Sequence, residues 1–237
     1  MADIALLGDR DATLITHRAV DAVVERFPSW ARGSWIATDS PDAAQLDDYH
    51  GVWVAPGTPY RDDQAVYAAI RRRRERRAPI LGTCGGFQYM VVEYARHVAG
   101  LSDAAHAEAD PTAHTAVVAP LACRLVGEER AVWCVPGTRL AEICGVEPFT
   151  GFHLCGFGVA DGYLERLTSA GLVVGARGED AGVEGIELPE HPFYVATLFQ
   201  PQMAALRGAR LHPLIDAFLS AARAMSGAPA DVPSAAW

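Results

Sequence analysis

Short apolar runs alternate with stretches of helical period through the first hundred residues. Ile4-Ala5-Leu6-Leu7-Gly8 is an unbroken apolar run and reads as a buried strand. Ile15, Ala19, Ala22 and Val23 then fall on one helical face, with Pro28 beyond its end. Ser34-Trp35-Ile36-Ala37 and Gly51-Val52-Trp53-Val54-Ala55 predict two more strands, the second running into the tight loop Pro56-Gly57-Thr58-Pro59-Tyr60. A helix is expected from Asp63 through the arginines, ended by Pro79, and Ile80-Leu81 reads as a fourth strand. Phe87, Met90, Val91, Tyr94, Ala95 and Val98 then repeat at helical spacing. Strand alternating with helix in this way predicts an α/β fold, a doubly wound, mostly parallel sheet. Ligands in such sheets bind beyond the carboxyl ends of the strands, where Gly57 and Cys84 both fall.

The pattern changes after Gly100. Val117-Val118, Cys123 to Val126 and Ala131 to Cys134 read as short strands, and Phe152 to Val159 as another. Asp161 to Ala170 is helical in pattern; Leu172 to Val174, Val183 to Leu188 and Phe193 to Phe199 predict a meander. These are antiparallel additions in the second half of the sheet. Leu211, Leu214, Ile215, Phe218, Leu219 and Ala222 stripe a last helix. With no internal repeat or linker, residues 1–225 read as one domain and 226–237, rich in Ala and Pro, as a disordered tail.

Composition narrows the function. A net charge of −9 excludes nucleic acid as the expected partner, and no apolar run approaches membrane-spanning length. The one basic run, Arg71 to Arg74 with Arg76 and Arg77, is expected at the exposed end of a helix. Five cysteines, with no C-x-x-C spacing and no signal peptide, point to a reducing cytoplasm rather than to a disulfide framework. No cofactor is implied, and the spacing of His153, Cys155, Cys134 and Cys144 fits no zinc pattern.

The chemistry centres on Gly82-Thr83-Cys84-Gly85-Gly86. This G-x-C-x-G turn between strand and helix has the form of a nucleophile elbow. Its glycines let strand and helix close around a sharp turn, which lifts the sulfur clear and aims helix N-terminal N–H groups at it, favouring thiolate.

From here the chain resembles a known family. The order strand, Pro-Gly loop, helix, G-x-C-x-G elbow is similar to that of class I glutamine amidotransferase domains (flavodoxin-like in architecture), and most of all to the C-terminal glutaminase domain of CTP synthase. Further matching pieces are Val92-Glu93-Tyr94-Ala95-Arg96, Gly100 to Ala104, Val183 to Phe193 and His212-Pro213-Leu214. A free-standing chain of this pattern resembles the CTP synthase C-terminal region-related (seleno)protein group. The resemblance implies Cys84 as nucleophile and the N–H groups of Gly57 and Gly85 as an oxyanion hole. It also implies Gln88 and Glu108 in the substrate pocket, Glu108 on an amine.

Two departures follow. The family closes its last core strand with F-H-P-E, the His being the general base and the Glu its orienter, but here the chain reads Phe199-Gln200-Pro201-Gln202. A Gln amide takes no proton near neutrality, so ordinary glutaminase chemistry is not expected. The family's carboxylate-holding Arg aligns with Gly156; Arg10, Arg61 and Arg177 stand as alternatives. His153 and Cys155 share a face if their segment is extended. His153 turned to the cleft would replace the base, and Cys155 would line the pocket or resolve an oxidised Cys84. His191 and His212, each before a Pro, read as structural, with His106 and His114 as weaker candidates.

The expected function is Cys84-dependent chemistry, of amidohydrolase or transferase type, on a small amide, nitrile or imine metabolite. A non-catalytic metabolite-binding or regulatory protein and Cys84 redox chemistry are the alternatives. The expected partner is a small, amine-bearing molecule; a partner protein or a second copy of the chain is left open.

Overall fold

The computed structural model describes residues 1–227; apart from the turn at Ser226-Gly227, the proposed disordered tail lies outside the described residues. In chain order the elements are β1 (Ala2–Leu7), α1 (Ile15–Val24), β2 (Ala31–Ile36), β3 (Gly51–Val54), α2 (Asp63–Glu75), β4 (Ile80–Thr83), α3 (Gly85–His97) and β5 (Ala105–His106). There follow β6 (Ala116–Cys134), α4 (Arg139–Cys144), β7 (Phe149–Val159), α5 (Asp161–Ser169), β8 (Val173–Gly178), β9 (Gly182–Glu187), β10 (Tyr194–Thr197) and α6 (Pro213–Met225).

All these strands join one sheet in the order β2-β1-β3-β4-β10-β9-β8-β6-β5, with β7 paired to β6. The half containing β2, β1, β3, β4 and β10 is parallel. From β10 onward the pairs with β9, β8, β6 and β7 are antiparallel, while the short β5 runs parallel to β6. Strand alternation sorts the core to the two faces. Ala5 and Leu7 of β1 pack with Val66, Ile70, Phe87 and Val91 of α2 and α3. Ile4 and Leu6 pack on the other face with Val20, Val23, Phe218 and Leu219 of α1 and α6. Among the described residues, no helix is long and apolar enough to cross a membrane.

Three readings are corrected. The short strands expected between Val117 and Cys134 are one strand, β6. Pro120 sits at a bulge in the pairing with β7, where a missing ladder donor is tolerated. The helix α4 and the two-residue β5 were not anticipated.

The arginine run is the third. Arg73 is 1% exposed and lies on the same stripe as Val66 and Ile70. Its Nη groups donate to the carbonyls of Leu46, Tyr49, His50 and Pro79 at 2.9–3.3 Å. Burial pushes its guanidinium down to about 10, which still leaves it charged at neutral pH. Arg74 makes a two-pronged ion pair, at 3.0 and 2.8 Å, with the fully buried Glu93 of α3. Two of the six arginines in the run therefore hold α2 to its neighbours.

Candidate active site

The parallel strands β3 and β4 end side by side, and the chain turns sharply after each. After β4, Cys84 takes φ +52° and ψ −108°, a conformation costly for a residue with a Cβ. The turn is held because α3 follows at once and is buried from Gly85 to Ala95. The approach of α3 to β3 is close enough that a Cβ on Gly86 would stand 2.2 Å from the Val54 carbonyl oxygen. After β3, Gly57 takes φ +111°, a region suited to glycine. His17 of α1 supports this loop. Its Nδ1 accepts from the Asp11 N–H at 2.8 Å, so its Nε2–H donates to the Pro56 carbonyl at 2.7 Å.

Between this loop, the elbow and the β6–β7 ribbon lies a cavity of about 250 Å³. Cys84, Gly57, Gln88, Glu108, Cys155, Gly156 and Gln200 line it; Gly85, His153 and Gln202 do not. The Cys84 sulfur lies 3.8 Å from the Leu154 carbonyl, and the Cys155 thiol is its neighbour in the cavity wall. The neighbouring Cys84 sulfur and burial push the Cys155 thiol up, so Cys155 keeps its proton.

His153 and Cys155 do share the buried face of β7. His153, however, is fully buried with its Nε2 2.9 Å from Glu184 Oε2 on β9, and its Nδ1 has no partner. The geometry therefore directs His153 to Glu184, and a thiol rather than an imidazole stands beside Cys84. At the end of β10, the buried Gln202 donates from Nε2 to Gln200 Oε1 at 2.8 Å. Gln200 is 2% exposed and its own Nε2 has no partner.

Gln88 is locked at both ends. Its Nε2 donates to the Phe157 carbonyl at 2.8 Å, and its Oε1 accepts from His106 Nε2 at 3.0 Å. His106 in turn accepts the Glu108 N–H at Nδ1. Glu108 takes the Thr58 hydroxyl at 2.5 Å.

The arginines weighed for an anionic ligand group stand elsewhere. Arg10 forks onto Asp21, Arg61 lies 3.7 Å from Asp39, and Arg177 is not in the cavity wall. The cation in the wall is Arg124, which the sequence reading missed. It reaches across from β6 to β7, so that a Cβ on Gly156 would lie 3.2 Å from its Nε. The side chain missing at position 156 leaves the room that Arg124 uses.

A family model described as glutamine amidotransferase class-I matches residues 17–134. A CTP synthase from Pyrobaculum aerophilum is 38% identical over 77% of this chain, and one from Bifidobacterium longum is 32% identical over 93%. This chain is a class I glutamine amidotransferase domain. It spans 36% and 44% of the length of those two relatives. The amidotransferase fold is also that of the Trypanosoma brucei CTPS glutaminase domain with bound acivicin, with TM-score 0.77, 21% identity and coverage of 98% of this chain and 97% of that one. A glutamine amido transferase from Methylobacillus flagellatus aligns with TM-score 0.58 at 14% identity, covering 94% of this chain and 90% of that one.

Two buried histidines give the amidotransferase domain an acid limit. Burial pushes both His106 and His191 down to about 4. In the unfolded chain each returns to near 6.5, so between about 4 and 6.5 the unfolded state binds more protons and stability falls as pH falls. At pH 5 the loss is expected to be about 2 kcal/mol for each. Urea midpoints measured from pH 7 to pH 5 check this, and a flat profile contradicts it.

Proposed function

We propose that this domain uses Cys84 as a nucleophile on the carbon of a small amide, nitrile or imine metabolite, without an imidazole base. One observation carries the reading: Cys84 lies in the wall of a ligand-sized cavity with Gln200, an unpartnered amide donor, at the position where the family resemblance puts the base. In the amide case the Cys84 sulfur forms a bond to the carbonyl carbon and the C=O electron pair moves to oxygen. The Gly57 N–H and the Gln200 amide, both in the cavity wall, are suited to receive that charge, with the Gly85 N–H behind them at the start of α3. Collapse breaks the C–N bond, the amine leaves with a proton from solvent or from the substrate itself, and water then releases the acyl group from sulfur. Such a route favours substrates with a good leaving group, because nothing on β10 can take or return a proton.

Arg124 and Glu108 supply opposite charges in the same wall, which suits a ligand with an anionic and an amine end. The test is turnover across a panel of small amides, nitriles and activated esters. Cys84→Ala is expected to lower it by about 10³-fold or more. Arg124→Gln is expected to raise KM for anionic substrates about tenfold with kcat little changed. Unaltered turnover in Cys84→Ala rejects the nucleophile; ligand binding without turnover in the wild type assigns the cavity to binding alone.

A further inference from the structure

We infer that Cys84 and Cys155 form a reversible disulfide under oxidation by a hydroperoxide, a modification that shuts the cavity. The two thiols come from distant parts of the chain, the elbow after β4 and the middle of β7, yet line one cavity, with the Cys84 sulfur 3.8 Å from the carbonyl of Leu154, the residue before Cys155. Both are largely buried, at 6% and 8% exposure, and both face the same cavity. A hydroperoxide is small enough to enter a space of about 250 Å³. The other cysteines do not compete. Cys134 and Cys144 are free thiols beside each other, Cys123 is on the surface, and none of the three lines the cavity.

The chemistry balances in two steps. The Cys84 thiolate attacks one oxygen of the hydroperoxide, the O–O bond breaks, and the leaving oxygen takes a proton to become water or an alcohol. Cys84 is now a sulfenic acid. The Cys155 sulfur then attacks the Cys84 sulfur, the S–O bond breaks, and the hydroxyl leaves as water with the proton that Cys155 carried. Two thiols are oxidised and one hydroperoxide is reduced. Both sulfurs already line the same cavity, with Cys84 packed against the residue before Cys155, so the second step competes with over-oxidation to the sulfinic acid. A small dithiol reverses the bridge. The nucleophile and part of the cavity wall would be tied together in the oxidised form, with no attacking sulfur left for a ligand.

The inference needs Cys84 to face the cavity but does not need it to turn over an amide, so the two ideas fail separately. The test treats the reduced full chain with stoichiometric hydrogen peroxide, blocks free thiols with iodoacetamide, and maps peptides by mass spectrometry without reduction. The expected product is one cross-linked pair joining the Cys84 and Cys155 peptides, lighter by two hydrogens. Iodoacetamide labelling of both should drop about tenfold and return after dithiothreitol. In Cys155→Ser, or Cys155→Ala if the first variant folds poorly, Cys84 should instead accumulate as a sulfenic acid trapped by dimedone. Sulfinic acid on Cys84 beside a reduced Cys155 in the wild-type chain overturns the inference. So does a bridge to any other cysteine, or two unreacted thiols at a peroxide dose that oxidises the exposed Cys123.

Discussion

Glutamine hydrolysis should rise by about 10²- to 10⁴-fold when Gln200 is replaced by His and Gln202 by Glu together. The two amides already hold the geometry that an imidazole and a carboxylate need. Gln202 is fully buried and joined to Gln200 by a 2.8 Å bond, and Gln200 reaches the cavity that Cys84 lines. In the double variant the bond reverses direction: the His Nδ1–H donates to the new carboxylate, and Nε2 turns to the cavity as a base. The single changes should do far less. Gln202→Glu alone buries a carboxylate whose one neighbour is an amide, which is expected to cost about 3 kcal/mol in stability. Gln200→His alone leaves the ring without a negative partner. The gain is therefore non-additive, and ammonia release by the wild type, both single variants and the double variant measures it. A folded double variant with unchanged ammonia release would mean that the cavity does not seat a glutamine amide against Cys84.

Among the glycines, Gly86→Ala should be the most damaging substitution by a single methyl. Its Cβ would stand 2.2 Å from the oxygen and 2.9 Å from the carbon of the Val54 carbonyl, backbone against backbone. No rotamer change can relieve that contact, so α3 has to move away from β3. The expected cost is about 3 kcal/mol, together with loss of the elbow that positions Cys84. Gly162→Ala in α5 is the matched control, since nothing lies within 4 Å of its added Cβ. Urea midpoints and the rate of Cys84 alkylation should both fall in Gly86→Ala and stay at wild-type values in Gly162→Ala. Equal behaviour of the two variants would show that the helix does not depend on this close approach.

The elbow could be read from the chain because its constraints are local. A glycine on either side of a cysteine, an apolar run before it and a helical stripe after it suffice to place Cys84 at a strand–helix turn. The parallel half of the sheet was legible for the same reason. What escaped notice depends on contacts between distant segments. Arg124 lies on a strand whose bulges shift its register against β7, so nothing near it in sequence marks it as part of the cavity. Its opening is at Gly156, more than thirty residues away. His153 and Cys155 were correctly placed on one face, but which neighbour that face meets depends on β9, where Glu184 takes the imidazole. Arg73 was hidden by its own surroundings. A guanidinium among guanidiniums reads as solvated, although its spacing from Val66 and Ile70 already put it on the buried stripe.

The amide pair at the end of β10 has a consequence for the arithmetic of protons. An imidazole and a carboxylate can store a proton through a reaction cycle and give it back; two carboxamides cannot, because their hydrogen bond is the same at every ordinary pH. A proton moved at this end of the cleft, where the two amides stand, has to be borrowed from water, from a dissolved buffer or from the ligand, and repaid there. The medium rather than the fold then sets the kinetic order in base.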